Sequence, residues 1–336
     1  MKKRLVLLLA FIMIVLGGCG TEAATKTATN ETAKLTQEES AVAKEDLKNE
    51  SNTAEGEVIT FVDDMGETII LKEPAKKIIS LYSVHTENLY ALGLKDEIIG
   101  VSTSDKYPAD VENKTKYTYK DDPEVIIAAG PDLVIIRTMI ANNYPEYVQT
   151  LKDAGITVVT LYVQTYDQFD SYIEKLGMMT GKSNEAKALL VKFHSDIENI
   201  KEKVSKIETE KNVYFESIGK KFKTATPESF AGTALSILNL NNIAKDIEHD
   251  KTTTVVTFGE ENLLAKSDEI DVYIAQKGAM NKSVSLEEIN SRPGFNQIKA
   301  VKEGNVIIIN EKLISGATRR YIDGLNQLIT ELYPEI

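Results

Sequence analysis

Short apolar segments alternate with longer amphipathic ones along most of the chain, from about residue 78 to residue 332. The short segments are rich in Ile and Val, which predicts buried β-strands. The longer ones repeat apolar residues at helical spacing and predict helices that cover a sheet. Strands alternating with helices indicate an α/β fold with parallel sheets. The predicted strands are 78–82, 97–101, 132–136, 157–162, 213–216, 271–275 and 306–310, and the predicted helices are 86–92, 123–129, 145–154, 227–240, 259–265 and 318–332.

The middle of the chain, residues 166–207, departs from this alternation because two helical segments follow each other without an intervening strand. Gly181 separates them, and Ser183 is placed to cap the second. We expect the first segment to cross between two Rossmann-like lobes and the second to pack on the C-terminal sheet. This divides the folded chain into an N-terminal α/β lobe (57–165), a connector helix (166–182) and a C-terminal α/β lobe (183–336). A ligand cleft lies between the lobes, and one connector predicts limited hinge motion.

Two segments precede the strand–helix alternation. Residues 58–71 alternate apolar and polar positions around a turn at 64–67, which predicts a β-hairpin. Residues 20–56 contain no aromatic side chain and are rich in Thr, Ala, Glu, Lys and Asn. Such a composition buries too little apolar surface to offset ordering, so residues 19–56 are predicted to be a disordered tether.

The first residues have the features of an export signal. Three positive residues (2–4) precede an apolar run at 5–16, which is short for a membrane span. Leu16, Gly17 and Gly18 then lead to Cys19, the only cysteine of the chain. This resembles the bacterial lipoprotein signal and predicts removal of residues 1–18, lipidation of Cys19 and anchoring on the extracytoplasmic face of the cell membrane. A lone cysteine cannot form an intrachain disulfide.

Composition and charge exclude some classes of protein. The 336 residues are 42% hydrophobic and 27% charged, with a formal net charge of −12. These values are typical of a soluble globular protein, and the acidity argues against nucleic-acid binding, which requires a basic face. Neither a glycine-rich phosphate loop, a nucleophile elbow nor a helical pair of metal-binding histidines occurs in the sequence. We therefore expect no catalytic residues, no metal site and no enzymatic activity.

Candidate ligand contacts follow from the rule that ligands of open α/β sheets bind at the carboxyl ends of the strands. Basic, aromatic and methionine side chains gather at those strand ends, a mixture that suits a large anionic ligand with apolar faces. The lysines among them are equally consistent with a solvated turn, and His85 could cap or pack at a helix start. The candidates are Tyr82, His85, Arg137, Met139, Lys221, Phe222, Lys277, Met280, Arg319 and Arg320.

From about residue 58 onwards the sequence resembles the substrate-binding proteins of ABC importers for iron–siderophores, haem and cobalamin. Each matching segment alone is weak evidence for this resemblance, but the order of the segments along the chain is specific to the family. One departure stands before the last helix, where SGATRR (315–320) aligns only Arg320 with the family's arginine. The matching segments are PAKKIISL (74–81), TENLYALGL (86–94), GPDLVI (130–135), LKDAGI (151–156), LNLNNIA (238–244), RPGF (292–295), AVKEGNV (300–306) and RYIDGL (320–325).

The resemblance implies a monomeric binding protein that captures a ligand between its two lobes and delivers it to an ABC permease dimer with its ATPase subunits. It needs no cofactor of its own. It implies that Glu124 and Glu261, one on each lobe, dock onto the permease, with the adjacent Glu260 as the alternative to Glu261. Among ligands we expect a ferric siderophore first. Haem or cobalamin is the alternative, because Tyr82 or His85 could serve as an axial ligand. The lipid anchor indicates a bacterium of the Gram-positive type.

Overall fold

The structure, a computed structural model, describes residues 58–207 and 210–335. The predicted signal peptide (1–18), the lipidation site at Cys19 and the predicted tether (19–56) lie outside these residues. In the described part of the chain, no helix is both long enough and apolar enough to cross a membrane.

The described chain begins with an antiparallel hairpin of β1 (Ile59–Val62) and β2 (Thr68–Leu71), as the sequence predicts. The buried carboxylate of Asp63 organises its turn by accepting two backbone N–H groups, each at 2.9 Å. Its second oxygen accepts the backbone N–H of Thr160 at 3.1 Å, from the end of a main-sheet strand. One side chain therefore shapes the turn and ties the hairpin to the N-terminal lobe.

The N-terminal lobe is built on a five-stranded parallel sheet with helices on its faces, so the expected α/β architecture is confirmed. Its central strands are almost completely buried, which is why they read as continuous runs of Ile, Leu and Val. The elements are β3 (Ile78–Ser80), α1 (Ser83–Ala91), β4 (Ile98–Ser102), β5 (Thr115–Tyr117), α2 (Pro123–Ala129), β6 (Leu133–Ile136), α3 (Thr138–Asn143), α4 (Pro145–Asp153) and β7 (Thr157–Thr160). The strand order is β5-β4-β3-β6-β7.

Two helices follow, α5 (Phe169–Thr180) and α6 (Ser183–Val204), after a short 3-10 turn at Tyr166–Gln168. Gly181 ends α5 in the left-handed conformation, with φ 69°, which a glycine adopts without strain. At this turn the two helices pack closely, because a Cβ added at Gly177 would lie 2.7 Å from the Cβ of Ala186.

The C-terminal lobe contains a four-stranded parallel sheet and a separate antiparallel strand pair. Its elements are β8 (Lys211–Glu216), β9 (Lys223–Ala225), α7 (Phe230–Ile237), β10 (Leu240–Asn242), β11 (Val255–Thr257), α8 (Glu260–Ala265), β12 (Val272–Lys277), α9 (Leu286–Ser291), α10 (Lys299–Glu303), β13 (Val306–Asn310), α11 (Glu311–Ile314) and α12 (Tyr321–Leu332). The parallel sheet has the order β10-β8-β12-β13, and β9 pairs with β11.

Both helices of the 166–207 segment take part in joining the lobes. Helix α5 contacts β1 of the N-terminal hairpin, whereas α6 packs along α5 and also contacts α7 and α12 of the C-terminal lobe. The lobe boundaries at 165 and 182 remain predictions, and these contacts favour a version in which the crossing includes α6.

The junction is filled by aromatic side chains, one from each of four helices. Phe169 and Phe193 have ring centroids 4.7 Å apart, and Phe230 and Tyr321 have centroids 5.4 Å apart. All four side chains are buried and belong to one apolar core that continues through both lobes. Each aromatic pair adds about 0.5–1.5 kcal/mol beyond its buried area, so this junction resists bending.

Three predicted helices have bounds that differ by more than one residue. The helix predicted at 86–92 is α1, which begins three residues earlier, at Ser83, and ends at Ala91. The helix predicted at 227–240 is shorter, because Asn239 adopts a left-handed conformation (φ 54°) and the following residues pair with β8 as strand β10. The last helix begins at Tyr321 and not at 318. Several short elements were not predicted, among them β5, β9, β11 and α3, because three to six residues carry too little periodic signal.

Candidate ligand-binding cleft

Tyr82, Arg137 and Tyr162 form one group at the carboxyl ends of β3, β6 and β7. The guanidinium carbon of Arg137 lies 5.1 Å from the centre of the Tyr82 ring, a cation–π contact. The rings of Tyr82 and Tyr162 have centroids 6.2 Å apart. Burial, with a smaller effect of Tyr162, raises the pKa of Tyr82 to about 12. Tyr82 therefore presents a neutral phenol ring. The sequence identified Tyr82 and Arg137 from their strand ends but missed Tyr162.

His85 points into the N-terminal lobe and is buried. Its Nδ1 lies 2.9 Å from the Tyr172 hydroxyl, and its Nε2 lies 3.3 Å from the backbone carbonyl oxygen of Ile136. A carbonyl only accepts, so these partners assign the proton to Nε2 and make Nδ1 the acceptor. Burial lowers the pKa of His85 to about 4, which keeps the ring neutral. Both ring nitrogens are therefore engaged within the fold, and the structure does not bring His85 to the cleft surface.

Arg320 joins the two lobes. Its Nε and Nη2 donate to the Glu87 carboxylate at 2.9 and 2.7 Å, and its guanidinium lies 4.0 Å from the centre of the Tyr107 ring. The adjacent Arg319 is exposed and lines a cavity of about 420 Å³ with Glu87 and Tyr107. The charge of Arg320 is thus already balanced by Glu87, a partner that the sequence did not indicate.

Further polar contacts cross between the lobes near the cleft. Lys312 Nζ donates to the Ser83 hydroxyl at 2.9 Å, and the Asn88 side chain donates to the backbone carbonyl of Ala317 at 2.8 Å. Glu311, at the carboxyl end of β13, has its carboxylate against Gly278 and acts on Tyr82 as a nearby negative charge. The sequence did not indicate these residues, because positions that are more than 200 residues apart come together only in the folded chain.

Asp105 is a buried carboxylate close to these contacts. The Thr86 hydroxyl donates to its Oδ2 at 2.6 Å. Burial raises the pKa of Asp105 to about 6, although the Thr86 hydrogen bond and the charges of Lys116 and Lys312 act in the opposite direction. Within the described residues, no group of three or more His, Cys, Asp or Glu side chains is arranged to hold a metal ion.

A cavity of about 360 Å³ opens at the carboxyl ends of β6 and β7. Its lining is largely polar and includes Thr138, Tyr162, Gln164 and Lys175. Met139, another candidate, follows Thr138 but packs on the core of the N-terminal lobe and is half-buried.

In the C-terminal lobe the candidates lie in two loops after β8 and β12. Lys221, Lys277 and Met280 are exposed, with Met280 51% exposed. Phe222 adopts a left-handed conformation (φ 46°), is half-buried and packs against the lobe's core, with its ring centroid 6.4 Å from that of Phe295. Lys221 and Met280 line a cavity of about 410 Å³.

The two predicted docking residues lie on helix N-termini at the surface. Glu124 is in the first turn of α2, where Asp122 caps the helix by accepting the Glu124 N–H at 3.1 Å. Glu261 is in the first turn of α8, next to Glu260. Both carboxylates are exposed, and acidic residues at these positions also interact favourably with the helix dipole.

Comparison with known proteins places this architecture. The family model described as periplasmic binding protein matches residues 78–313. The chain belongs to this family. This periplasmic binding protein is 30% identical over 282 residues to YvrC of Bacillus subtilis, an uncharacterized ABC transporter substrate-binding lipoprotein, with 82% of this chain and 86% of YvrC covered.

Two further proteins are similar to this chain. A cobalamin-binding protein of Halobacterium salinarum is 22% identical over 277 residues, covering 80% of this chain and 73% of the relative. A possible iron-binding periplasmic solute-binding protein from Staphylococcus epidermidis superposes with a TM-score of 0.68 at 28% identity, covering 78% of this chain and 100% of that structure. The periplasmic binding protein described here is thus a substrate-binding component of an ABC importer, which works with permease and ATPase components, and not an enzyme.

Proposed function

We propose that this protein captures a corrinoid such as cobalamin in the cleft between its lobes and delivers it to an ABC permease. The supporting observation is the group of Tyr82, Tyr162 and Arg137 at the carboxyl edge of the N-terminal sheet. A neutral phenol ring flanked by a second ring and a guanidinium offers apolar, stackable surface, which suits a large planar ring system. The similarity to a cobalamin-binding protein points to the same ligand class.

Charge in the cleft supports ranking a corrinoid above a ferric siderophore. The sequence alone favours an anionic ferric siderophore, because basic residues follow the strands. The structure pairs Arg320 with Glu87 and adds the carboxylate of Glu311 near Tyr82. This reduces the net positive charge available to a ligand, so a complex of low net charge is favoured over a strongly anionic one.

A ferric siderophore is the second candidate. Exposed lysines, including Lys221 and Lys277, lie on the loops of the C-terminal lobe, where they can contact anionic groups of such a complex. Haem ranks lower, because both nitrogens of His85 are engaged within the fold and the pKa of Tyr82, about 12, opposes its deprotonation for iron coordination.

Native mass spectrometry of the purified protein tests the proposal. The probes are cyanocobalamin, a neutral ferric trihydroxamate, an anionic ferric tris-catecholate and haem. We expect a one-to-one complex with cyanocobalamin. Tyr82→Ala is expected to weaken it about two- to tenfold, the contribution of an aromatic contact, whereas Tyr82→Phe keeps the ring and the affinity. Binding of the tris-catecholate alone would favour the second candidate, and unchanged affinity in Tyr82→Ala would contradict the assignment of this site.

We further propose that Glu124 and Glu261 dock the protein onto its permease. Both are exposed and lie outside the cleft loops. The double variant Glu124→Ala/Glu261→Ala is expected to abolish uptake in cells while ligand affinity stays unchanged. Glu146→Ala is a matched control, because Glu146 also follows a proline at a helix start and is exposed. Parallel loss of binding and uptake in the double variant would show that these residues do not act as docking groups.

The predicted lipidation of Cys19 would hold the monomeric protein on the outer face of a Gram-positive-type cell membrane. Cys19→Ala is expected to move the protein from the membrane fraction to the soluble extracytoplasmic fraction, or to leave an unprocessed precursor. A Cys19→Ala protein that is processed and stays membrane-bound like the wild type would contradict a lipid anchor at this residue.

A further inference from the structure

A largely buried ion pair between Glu216 and Arg292 lies beneath two loops of the C-terminal lobe, those that follow β8 and β12. Glu216, the last residue of β8, is 1% exposed. Its carboxylate contacts both terminal nitrogens of Arg292 and accepts the Tyr273 hydroxyl. Arg292 is also held by Glu288, with Nη2 2.6 Å from Oε2. The carboxylate thus sits at the carboxyl edge of the sheet, directly beneath the loop that begins at residue 217.

Asn281 connects this ion pair to both loops. Its Nδ2 donates to Glu216 Oε1 at 2.7 Å and to the backbone carbonyl of Gln276 at 3.1 Å. Its Oδ1 accepts the backbone N–H of Gly219 at 3.3 Å. One buried amide therefore holds the loop after β8 and the loop after β12 against the same carboxylate.

The close approach of the first loop depends on Gly219. A Cβ at this position would lie 2.5 Å from the Arg292 guanidinium and 2.6 Å from Glu216. The backbone of this loop therefore rests directly on the ion pair. Above it, Lys220, Lys221 and Met280 line the cavity of about 410 Å³.

We propose that Glu216, Arg292 and Asn281 are positioning residues that preform the C-terminal half of the ligand site. Three side chains, those of Tyr273, Glu288 and Asn281, orient the pair, and the hydrogen bonds of Asn281 hold the backbone of both loops against it. Fixing a loop in its binding conformation removes the entropy cost of ordering it when the ligand arrives. This role rests on the proposed function, because it assigns these loops to the ligand site.

The test compares Asn281→Ala with Asn242→Ala. Asn242 is an equally buried asparagine of the same lobe whose side chain also bonds backbone groups, at 3.3 and 3.0 Å, but outside these loops. Isothermal titration with cyanocobalamin is expected to give about a tenfold weaker affinity for Asn281→Ala and no loss for Asn242→Ala. Glu216→Gln, which keeps the acceptor for Asn281, is expected to retain more affinity than Glu216→Ala.

Hydrogen exchange of the same variants separates this proposal from the proposed function. Faster exchange at residues 217–222 and 277–284 in Asn281→Ala, with Asn242→Ala like the wild type, supports positioning. Wild-type affinity in Asn281→Ala, or equal loss in both variants, overturns it. If the wild type binds neither cyanocobalamin nor the ferric complexes, the proposed function fails. The exchange data then test only whether Asn281 fixes the two loops: unchanged loop protection in Asn281→Ala overturns this positioning role, and lost protection supports it.

Discussion

Lowering the pH is expected to change the unfolding free energy of this protein through two buried groups, His85 and Asp105, whose contributions have opposite signs. Single substitutions at these two positions should separate the contributions. His85 has a folded-state pKa of about 4 against an ordinary value of 6.5, so between these values the unfolded chain binds more protons than the fold. Stability contributed by neutral His85 is therefore full above pH 6.5 and is lost as the pH falls towards 4. The difference between the folded-state and ordinary pKa values of His85 corresponds to about 3 kcal/mol of unfolding free energy.

Asp105 behaves in the opposite sense. Its folded-state pKa of about 6 lies above the ordinary 3.8, so between these values the fold binds more protons than the unfolded chain. Ionised Asp105 costs stability at pH 7, and that cost is relieved as the pH falls through 6, a gain of about 2–3 kcal/mol by pH 4. The two contributions nearly cancel, so together they change the stability of the wild type by less than about 1 kcal/mol.

Urea unfolding at pH 7.5 and pH 4 of the wild type, His85→Gln and Asp105→Asn measures each contribution. Glutamine can still donate to the Ile136 carbonyl and accept from Tyr172. Relative to the wild type, His85→Gln is expected to gain about 3 kcal/mol on acidification, and Asp105→Asn to lose about 2–3 kcal/mol. Other titrating groups cancel in the comparison. A His85→Gln variant that follows the wild type within about 0.5 kcal/mol at both pH values would refute the burial argument.

Three further predictions concern stability. Glu87→Gln removes the negative charge that Arg320 binds. Because the largely buried guanidinium then loses its charged partner, the unfolding free energy in urea titrations is expected to fall by about 3 kcal/mol. A variant as stable as the wild type would show that this ion pair does not stabilise the fold. Gly232→Ala places a methyl group 2.0 Å from the Thr226 carbonyl oxygen. Overpacking costs about 1–3 kcal/mol and the gain in helix propensity is about 1 kcal/mol, so this variant is expected to be less stable than the wild type. Gly130→Ala has open space but a φ of 63°, so backbone strain alone is expected to cost about 1–2 kcal/mol. A wild-type melting temperature in either glycine variant would contradict the corresponding estimate.

The periodicity of the sequence was sufficient to predict the α/β architecture, because parallel strands that are buried on both faces produce uninterrupted apolar runs such as 133–136. The same reasoning placed Tyr82 and Arg137 correctly at strand ends, since the rule concerns backbone position. It could not determine the direction of a side chain. His85 is two residues into α1, and whether its ring faces the cleft or the core depends on packing against Tyr172, 87 residues away.

Contacts between residues that are distant in sequence account for the other differences between the predicted and the observed structure. Arg320 was expected to be free for a ligand, but Glu87, 233 residues earlier, neutralises it. Glu216 was not recognised in the sequence, where it is a single acid at the end of a strand, because its partners Arg292 and Asn281 come from two other segments. Short strands such as β9 and β11 exist only through their mutual pairing, which local propensity does not encode.

Helix α6 has a consequence for how a transporter could recognise this protein. Its 22 residues span about 33 Å, and the ring of Phe193 contacts Phe169 of α5 on one side and Tyr321 of α12 on the other. Phe193 therefore couples the helix that contacts the N-terminal hairpin to the last helix of the C-terminal lobe. Adding one residue to α6 ahead of Phe193 would turn this ring by about 100° relative to the start of the helix, whereas adding seven would nearly restore its direction and move it by about 10 Å along the axis. Either insertion is expected to break one of the two ring contacts and to loosen the relative orientation of the lobes, on which the proposed docking through both Glu124 and Glu261 depends.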